Sequence, residues 1–428
     1  MPEVKLLSTV LCTALLVVAM GWLSAFAPVE LLMLTLTLGM FVLSVLHPKV
    51  CFILLVLLTP WSPALSGMMS AAAQGAVGLP LTLFEVLSLA AWVAFLVRLP
   101  KLKKVDMPRS TIIHLSFVIW LMVSAVIATA GGYDPTRLLR NVIVFSTLFP
   151  FAAFMRSGVV RLSQSERVYL QLSVLVMGLA ALFVLAPLMG QRHGGVEIIS
   201  QFAINRIDGW FNVFVFVYIL CIILGEKVNS VFRPLITWAS LFGVIFSLGR
   251  SFWLAAFGVV AYVGLMSAKQ NRWLIAAGSA LSIFVFQSLG LAQERFRLGA
   301  ASLQYRFYEQ AIIFSEVFHG SIFALLAGRG LAAPIPEVLA EQFVAEYVWW
   351  VHNEWLLIVY NAGLIGVLFY ALFLLTLTLR INHLAPRLVG LALLLTSIGA
   401  GQLLSIISGP WIALACYSFY AGNVKTTT

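Results

Sequence analysis

His352 and Asn353 open the stretch HNEWLLIVYNAGLIG, which carries Gly363 and Gly366 further on. Behind them stand Trp349 and Trp350, residues that settle at headgroup depth, while Asn353 and Glu354 suit the start of a helix. His352 is therefore expected where an interfacial helix turns into a membrane span. A helix N-terminus and nearby arginines both disfavour imidazolium, so the ring is expected to be neutral at physiological pH. A neutral imidazole beside phosphate-binding arginines is a ready general base. An unbroken helix from His352 would put Gly363 on the same face, about 16 Å away over three turns, with Gly366 one turn on. Such glycines would make a smooth lane for a lipid tail or a neighbouring helix.

The cations for that chemistry are arginines. The segments that the topology turns outward hold Arg137, Arg140, Arg192, Arg206, Arg250, Arg295, Arg297, Arg306 and Arg329, and no lysine. Solubility alone would admit lysine; arginine alone points to a planar fork wanted for bidentate contact with phosphate or carboxylate. The plainer alternative pairs each with a nearby acid such as Asp134, Glu197, Asp208 or Glu309. Arg250 is the sharpest case. It sits in FSLGRSFW, a tight turn between two spans that leaves its guanidinium close to the hydrocarbon.

These residues must be positioned by membrane helices. Hydrophobic residues are 62% of the 428 and charged residues 10%, with apolar runs of span length recurring throughout. Lipid leaves no free backbone group satisfied, so the expected fold is all-α, a polytopic bundle of about 12–14 spans. They are expected near 6–27, 29–46, 50–63, 80–97, 111–130, 139–155, 167–188, 207–224, 233–248, 251–267, 272–290, 353–379 and, as a pair, within 387–421. Pro28 just after Ala25-Phe26-Ala27 argues against a cleaved signal peptide there, so the first run is expected to remain as a span.

The basic loop RLPKLKKVDMPR (Arg98–Arg109) sets this loop inside by the positive-inside rule, and alternation then places both termini and all eight lysines in the cytoplasm. Four cysteines lie in or at the ends of spans without metal-type spacing. No repeat or soluble domain is evident. The chain reads as one membrane domain, 1–428, with an outer segment at 291–351. Within it, SLQYRFYEQAIIFSEVFHG and PEVLAEQFVAEYVWW are expected as amphipathic interfacial helices, joined through LLAGRGLAAPIP with Arg329.

On these residues the chain resembles the bacterial O-antigen ligases, within the O-antigen ligase and polymerase superfamily. Their signature is His, then Asn, Ser or Gln, nine residues, then Gly, with a further Gly, Thr or Tyr three positions on; His352, Asn353, Gly363 and Gly366 fit it. The SLGRSFW turn at Arg250, and YRFYEQAIIF followed by GRG at Arg306, Gly328, Arg329 and Gly330, also look like that family. The resemblance covers about the C-terminal half. It implies a fold of the GT-C glycosyltransferase class and a metal-independent, inverting transferase without cofactor at the periplasmic face of the bacterial inner membrane. The implied donor is a glycan on undecaprenyl diphosphate and the acceptor a lipid A-core sugar hydroxyl; membrane lipids are partners, nucleic acid is not. His352 would take the acceptor proton. Arg250, Arg206, Arg306, Arg329, Arg192, Arg137 and Arg140 would hold the diphosphate, and Gly363 and Gly366 the prenyl chain or a packed helix.

Two other readings stay open. Repeat-unit polymerases use the same donor but often carry Arg, ten residues, then Gly in outer loops, a spacing no outer arginine here shows. A flippase or solute transporter would show repeated halves, interrupted helices and ionisable residues near the midplane. If Arg250 grips diphosphate with two prongs, Arg250→Lys will behave like Arg250→Ala in a glycan-transfer assay. Near-normal activity of the lysine variant would reject the bidentate contact.

Overall fold

The computed structural model describes residues 29–58, 83–102, 105–180, 239–241, 243–244, 250–266, 307–331, 333, 353–379, 384–399 and 408–417. Among these the chain is all helix, with thirteen helices and no sheet. In chain order they are α1 (Val29–Leu46), α2 (Pro48–Leu58), α3 (Leu83–Leu102), α4 (Arg109–Ala130), α5 (Thr136–Ser146), α6 (Leu148–Ser157) and α7 (Gln164–Ala180). Then follow α8 (Arg250–Met266), α9 (307–318), α10 (Ile322–Ala327), α11 (Glu354–Thr378), α12 (Leu384–Gly399) and α13 (Ser408–Tyr417). The spans expected at 6–27, 207–224 and 272–290 and the second interfacial helix lie outside the described residues, as does most of 233–248.

Local chemistry explains where the helices start and stop. Pro108, which has no N–H to lose, precedes α4. That helix ends where Gly131, Gly132 and Tyr133 donate back to Ile127, Thr129 and Ala128. Asp134 then accepts from the Thr136 amide and hydroxyl, which holds its carboxyl below the usual range and launches α5. α5 runs into α6 across Thr147, whose hydroxyl bonds Val144 O at 2.6 Å, and α6 stops at Gly158 in the left-handed region, φ 77°. α7 opens on a capping box: Glu166 N donates to Ser163 Oγ at 3.2 Å and Ser163 N to Glu166 Oε2 at 2.7 Å.

Among the described residues three helical stretches, Arg109–Ala130, Leu138–Ser157 and Glu354–Thr378, are by length and composition able to cross a membrane. Their outward faces match that solvent. On α4 the exposed residues Ile112, Ile119 and Val126 stand seven apart, and on α11 Leu364, Leu368, Leu372, Leu375 and Leu379 form a second stripe. Apolar stripes of that size mark a surface built to meet lipid. The chain is a multi-pass membrane protein. Behind the stripes lies a core rich in aromatic rings, with Phe52, Phe117, Phe145, Phe151, Phe154, Tyr370 and Phe373 fully buried. His114 shares it, its imidazole 4.4 Å from the Phe145 ring and 5.4 Å from that of Phe373, centre to centre.

Ion pairs and caps gather at one end of this bundle. Arg98 donates to the last carbonyls of α1, Val45 O and Leu46 O, both at 2.8 Å. Arg156 pairs with Asp106 at 3.8 Å, and Lys49 at the start of α2 pairs with Glu166 at 2.5 Å. Lys49 and the Ser163 amide pull the Glu166 carboxyl from its ordinary 4.5 down to about 2. A depressed carboxylate stabilises the fold above its unfolded value and loses that contribution as pH falls through the folded one. Glu166→Gln should therefore show a shallower loss of thermal stability than the parent between pH 4.5 and about 2, measured by melting in detergent. Parallel pH profiles would show that the pair contributes nothing.

Candidate functional site

Asn353 has extended backbone, φ −127° and ψ 119°, and its side-chain oxygen accepts from Trp355 N and Leu356 N at 3.0 and 3.2 Å. It is the N-cap of α11, as its residue type suggests. Glu354, fully buried, opens the first turn. His352 immediately precedes the cap and lies outside the described residues.

α11 is not the straight span expected over 353–379. Gly363 has φ 68° and ψ −172°, a backbone conformation essentially confined to glycine, and divides the helix into an arm at 354–362 and an arm at 364–378. A straight helix would hold Trp355 and Tyr370 about 22 Å apart along the axis. Their ring centroids are 4.9 Å apart, and the Trp355 indole N–H reaches Ser397 Oγ of α12 at 2.9 Å. The arms therefore fold sharply towards each other. The straight helix expected to carry Gly363 and Gly366 on one face is interrupted: it is capped at Asn353 and breaks at Gly363.

The break releases backbone carbonyls inside the bundle, and each finds a donor. Tyr360 O accepts from Arg329 N at 2.9 Å; Asn361 O accepts from Gly330 N at 3.0 Å and Ser124 Oγ at 2.6 Å; Ala362 O accepts from Trp120 Nε1 at 2.7 Å. Leu331 N adds a bond to Ser124 O of α4 at 3.0 Å. The GRG loop is thus a clasp between α4 and the bent helix. Only glycine allows this approach: a Cβ on Gly363 would fall 2.3 Å from Leu326 O, and one on Gly328 (φ 84°) 2.3 Å from Asn361 O. Gly366 is filled too, facing Ala362 and Ile358 with Trp120 behind. Gly363 and Gly366 are packing positions here, not an open lipid lane.

Arg329 crosses from the clasp to α9. One guanidinium nitrogen donates to Glu316 Oε2 at 2.6 Å and Glu316 O at 3.0 Å, and its central carbon lies 5.4 Å from the centre of the Tyr360 ring. Arg140 pairs at 3.7 Å with Glu85, a nearly buried carboxylate in the first turn of α3. Both arginines are committed to acids, though not to those nearest in sequence. A cavity of about 560 Å³ opens between α9 and the cap of α11, lined by Gln310, Phe314, Ser315, His319, Asn353 and Trp355 among others.

Arg250 is the first residue of α8. Gly258, midway along α8, packs on Leu395, and Trp355 in the first turn of α11 donates to Ser397, both towards the C-terminal end of α12. Arg250 lies about 12 Å along the helix from Gly258. Arg137, Arg140 and Arg329 share one end of the bundle with each other, because the α4–α5 turn and the clasp both sit on the last turns of α4. Arg192, Arg206 and Arg306 lie outside the described residues. Among the described residues no three His, Cys, Asp or Glu side chains gather as metal ligands.

Sequence reasoning missed Trp120, Ser124, Glu316 and Glu85, whose roles depend on distant partners. It also missed the break itself, although Asn361-Ala362-Gly363 inside an apolar run is a helix-stop signal. Gly363→Ala should destabilise the protein by at least ~1–3 kcal/mol from backbone strain alone, and more from the collision. Gly132→Ala, where φ is 80° and nothing lies within 4 Å of a new Cβ, isolates the backbone component. Melting of both variants in detergent checks the difference; equal shifts would mean the approach at Gly363 is not required.

The chain matches no family model, no curated protein and no solved structure.

Proposed function

We propose that the chain is an O-antigen ligase: a metal-independent, inverting glycosyltransferase moving a glycan from undecaprenyl diphosphate to a lipid A-core sugar hydroxyl. In this reading about 12–14 spans cross the bacterial inner membrane, both termini are cytoplasmic, and the site faces the periplasm. The observation that carries it is the capped start of α11. Asn353, next to His352 in the chain, caps α11 beside a cavity against α9, and Arg250 is assigned to the same site by this reading.

The chemistry is compact. His352 accepts the proton of the acceptor hydroxyl as its oxygen attacks the anomeric carbon from the side opposite the diphosphate, inverting that centre. The leaving diphosphate gains charge as the bond breaks, and fixed guanidinium groups, Arg250 first, lower the barrier by holding it. Arg329 and Arg140, already paired with Glu316 and Glu85, serve this reading by shaping the site.

The transporter reading has two observations in its favour, the interrupted α11 and the buried His114. Against it, the carbonyls of Tyr360, Asn361 and Ala362 are taken by protein donors, not turned to a substrate path. His352→Ala should leave the protein inserted and abolish transfer from undecaprenyl-diphosphate glycan in a purified assay that tolerates chelator, while His114→Phe should retain transfer. A divalent-ion requirement, or normal turnover by His352→Ala, would reject the mechanism. Cells lacking the gene should accumulate polymerised glycan on its prenyl carrier beside bare lipid A-core; core capped with single repeat units would identify a polymerase instead.

A further inference from the structure

We propose that the cavity between α9 and the first turn of α11 is a carbohydrate site in which His319 Nε2 accepts a hydrogen bond from a sugar hydroxyl. This rests on the transferase reading and assigns its acceptor a place. The cavity, about 560 Å³, is lined by Gln310, Ala311, Phe314, Ser315, His319, Asn353, Trp355 and Leu356, and its volume suits a small ligand. Phe314 and Trp355 share the lining with the polar side chains of Gln310, Ser315, His319 and Asn353. Phe314 is 55% exposed. The Trp355 indole N–H is committed to Ser397, leaving the ring to offer carbon surface to the cavity. Aromatic surface suits the C–H face of a pyranose, and side-chain amides and imidazole suit its hydroxyls.

His319 is set for this role by its backbone contact. Nδ1 lies 2.9 Å from Ser315 O and 3.2 Å from Ser315 Oγ; a carbonyl oxygen can only accept, so the shorter contact favours the tautomer with the hydrogen on Nδ1, the hydroxyl then accepting as well. In the neutral ring Nε2 is then the lone-pair acceptor. The contact returns one turn along α9, so the ring is oriented by its own helix and does not depend on a ligand for its tautomer.

The test uses the purified full chain in nanodiscs and, as probe, core oligosaccharide released from lipid A by mild acid, with binding read by saturation-transfer NMR. His319→Asn keeps a donor near the Nδ1 position for Ser315 O but removes Nε2; Phe314→Leu keeps apolar bulk but removes the ring. Both should weaken binding by about tenfold, the worth of one lost hydrogen bond or ring contact, with unchanged melting temperature. Wild-type affinity in both variants would overturn the site and leave His319 as a helix-end contact. No binding by the parent, or displacement of the probe by a single-chain phospholipid alone, would overturn it as well, the second outcome marking a lipid groove. Binding sensitive to His319 in a protein without transfer activity would uphold the site while rejecting the transferase reading.

Discussion

Three carbonyls, those of Tyr360, Asn361 and Ala362, must find donors where water does not compete for them. Gly363 turns the chain out of helical geometry in the middle of an apolar stretch, and an unpaired carbonyl in such surroundings costs several kcal/mol. The donors come from two places: Trp120 and Ser124 on α4, and the backbone of Arg329 and Gly330. The need to satisfy these groups therefore fixes both the register of α4 against α11 and the position of the GRG loop.

The rest of that end of the bundle follows from the attachment. Because Arg329 is held by its own backbone N–H to Tyr360, its side chain is delivered to Glu316, and the pair draws α9 alongside the bent helix. A third of the arginine side chain remains exposed, so the ion pair itself adds little to stability; its worth is in direction. α9 then buries Ile313 and Val317 and turns Phe307, Phe314 and Phe318 outward. The cavity beside Asn353 is the space left between α9 and a helix cap, each set by a different part of the clasp.

Charge is distributed to suit a membrane. Lys49, Arg98 and Arg156 close helix ends and short turns at one end of the bundle, while Arg140 and Arg329 pair with Glu85 and Glu316 at the other. Between the two ends the exposed faces of α4 and α11 carry apolar stripes, and the hydroxyls of Ser116, Thr129 and Thr378 are satisfied by carbonyls one turn back in their own helices.

Hydrophobic run length by itself determined that this is a membrane protein, helical throughout its described residues, and it placed α1, α4 and α8 within a few residues, because lipid permits a run of that length only one backbone form. Residue type also determined the cap at Asn353, since capping is a local hydrogen bond between neighbours in the chain. The pairings of Arg140 and Arg329 were not legible in the same way. Their acids, Glu85 and Glu316, are chosen by which helices pack together, and nearness in sequence pointed to others. The fold of α11 was the largest difference. Gly363 reads equally well as a packing residue in a straight helix and as a break; only tertiary structure decided, because a break is tolerable solely where α4 and the GRG loop bring donors to the carbonyls it exposes.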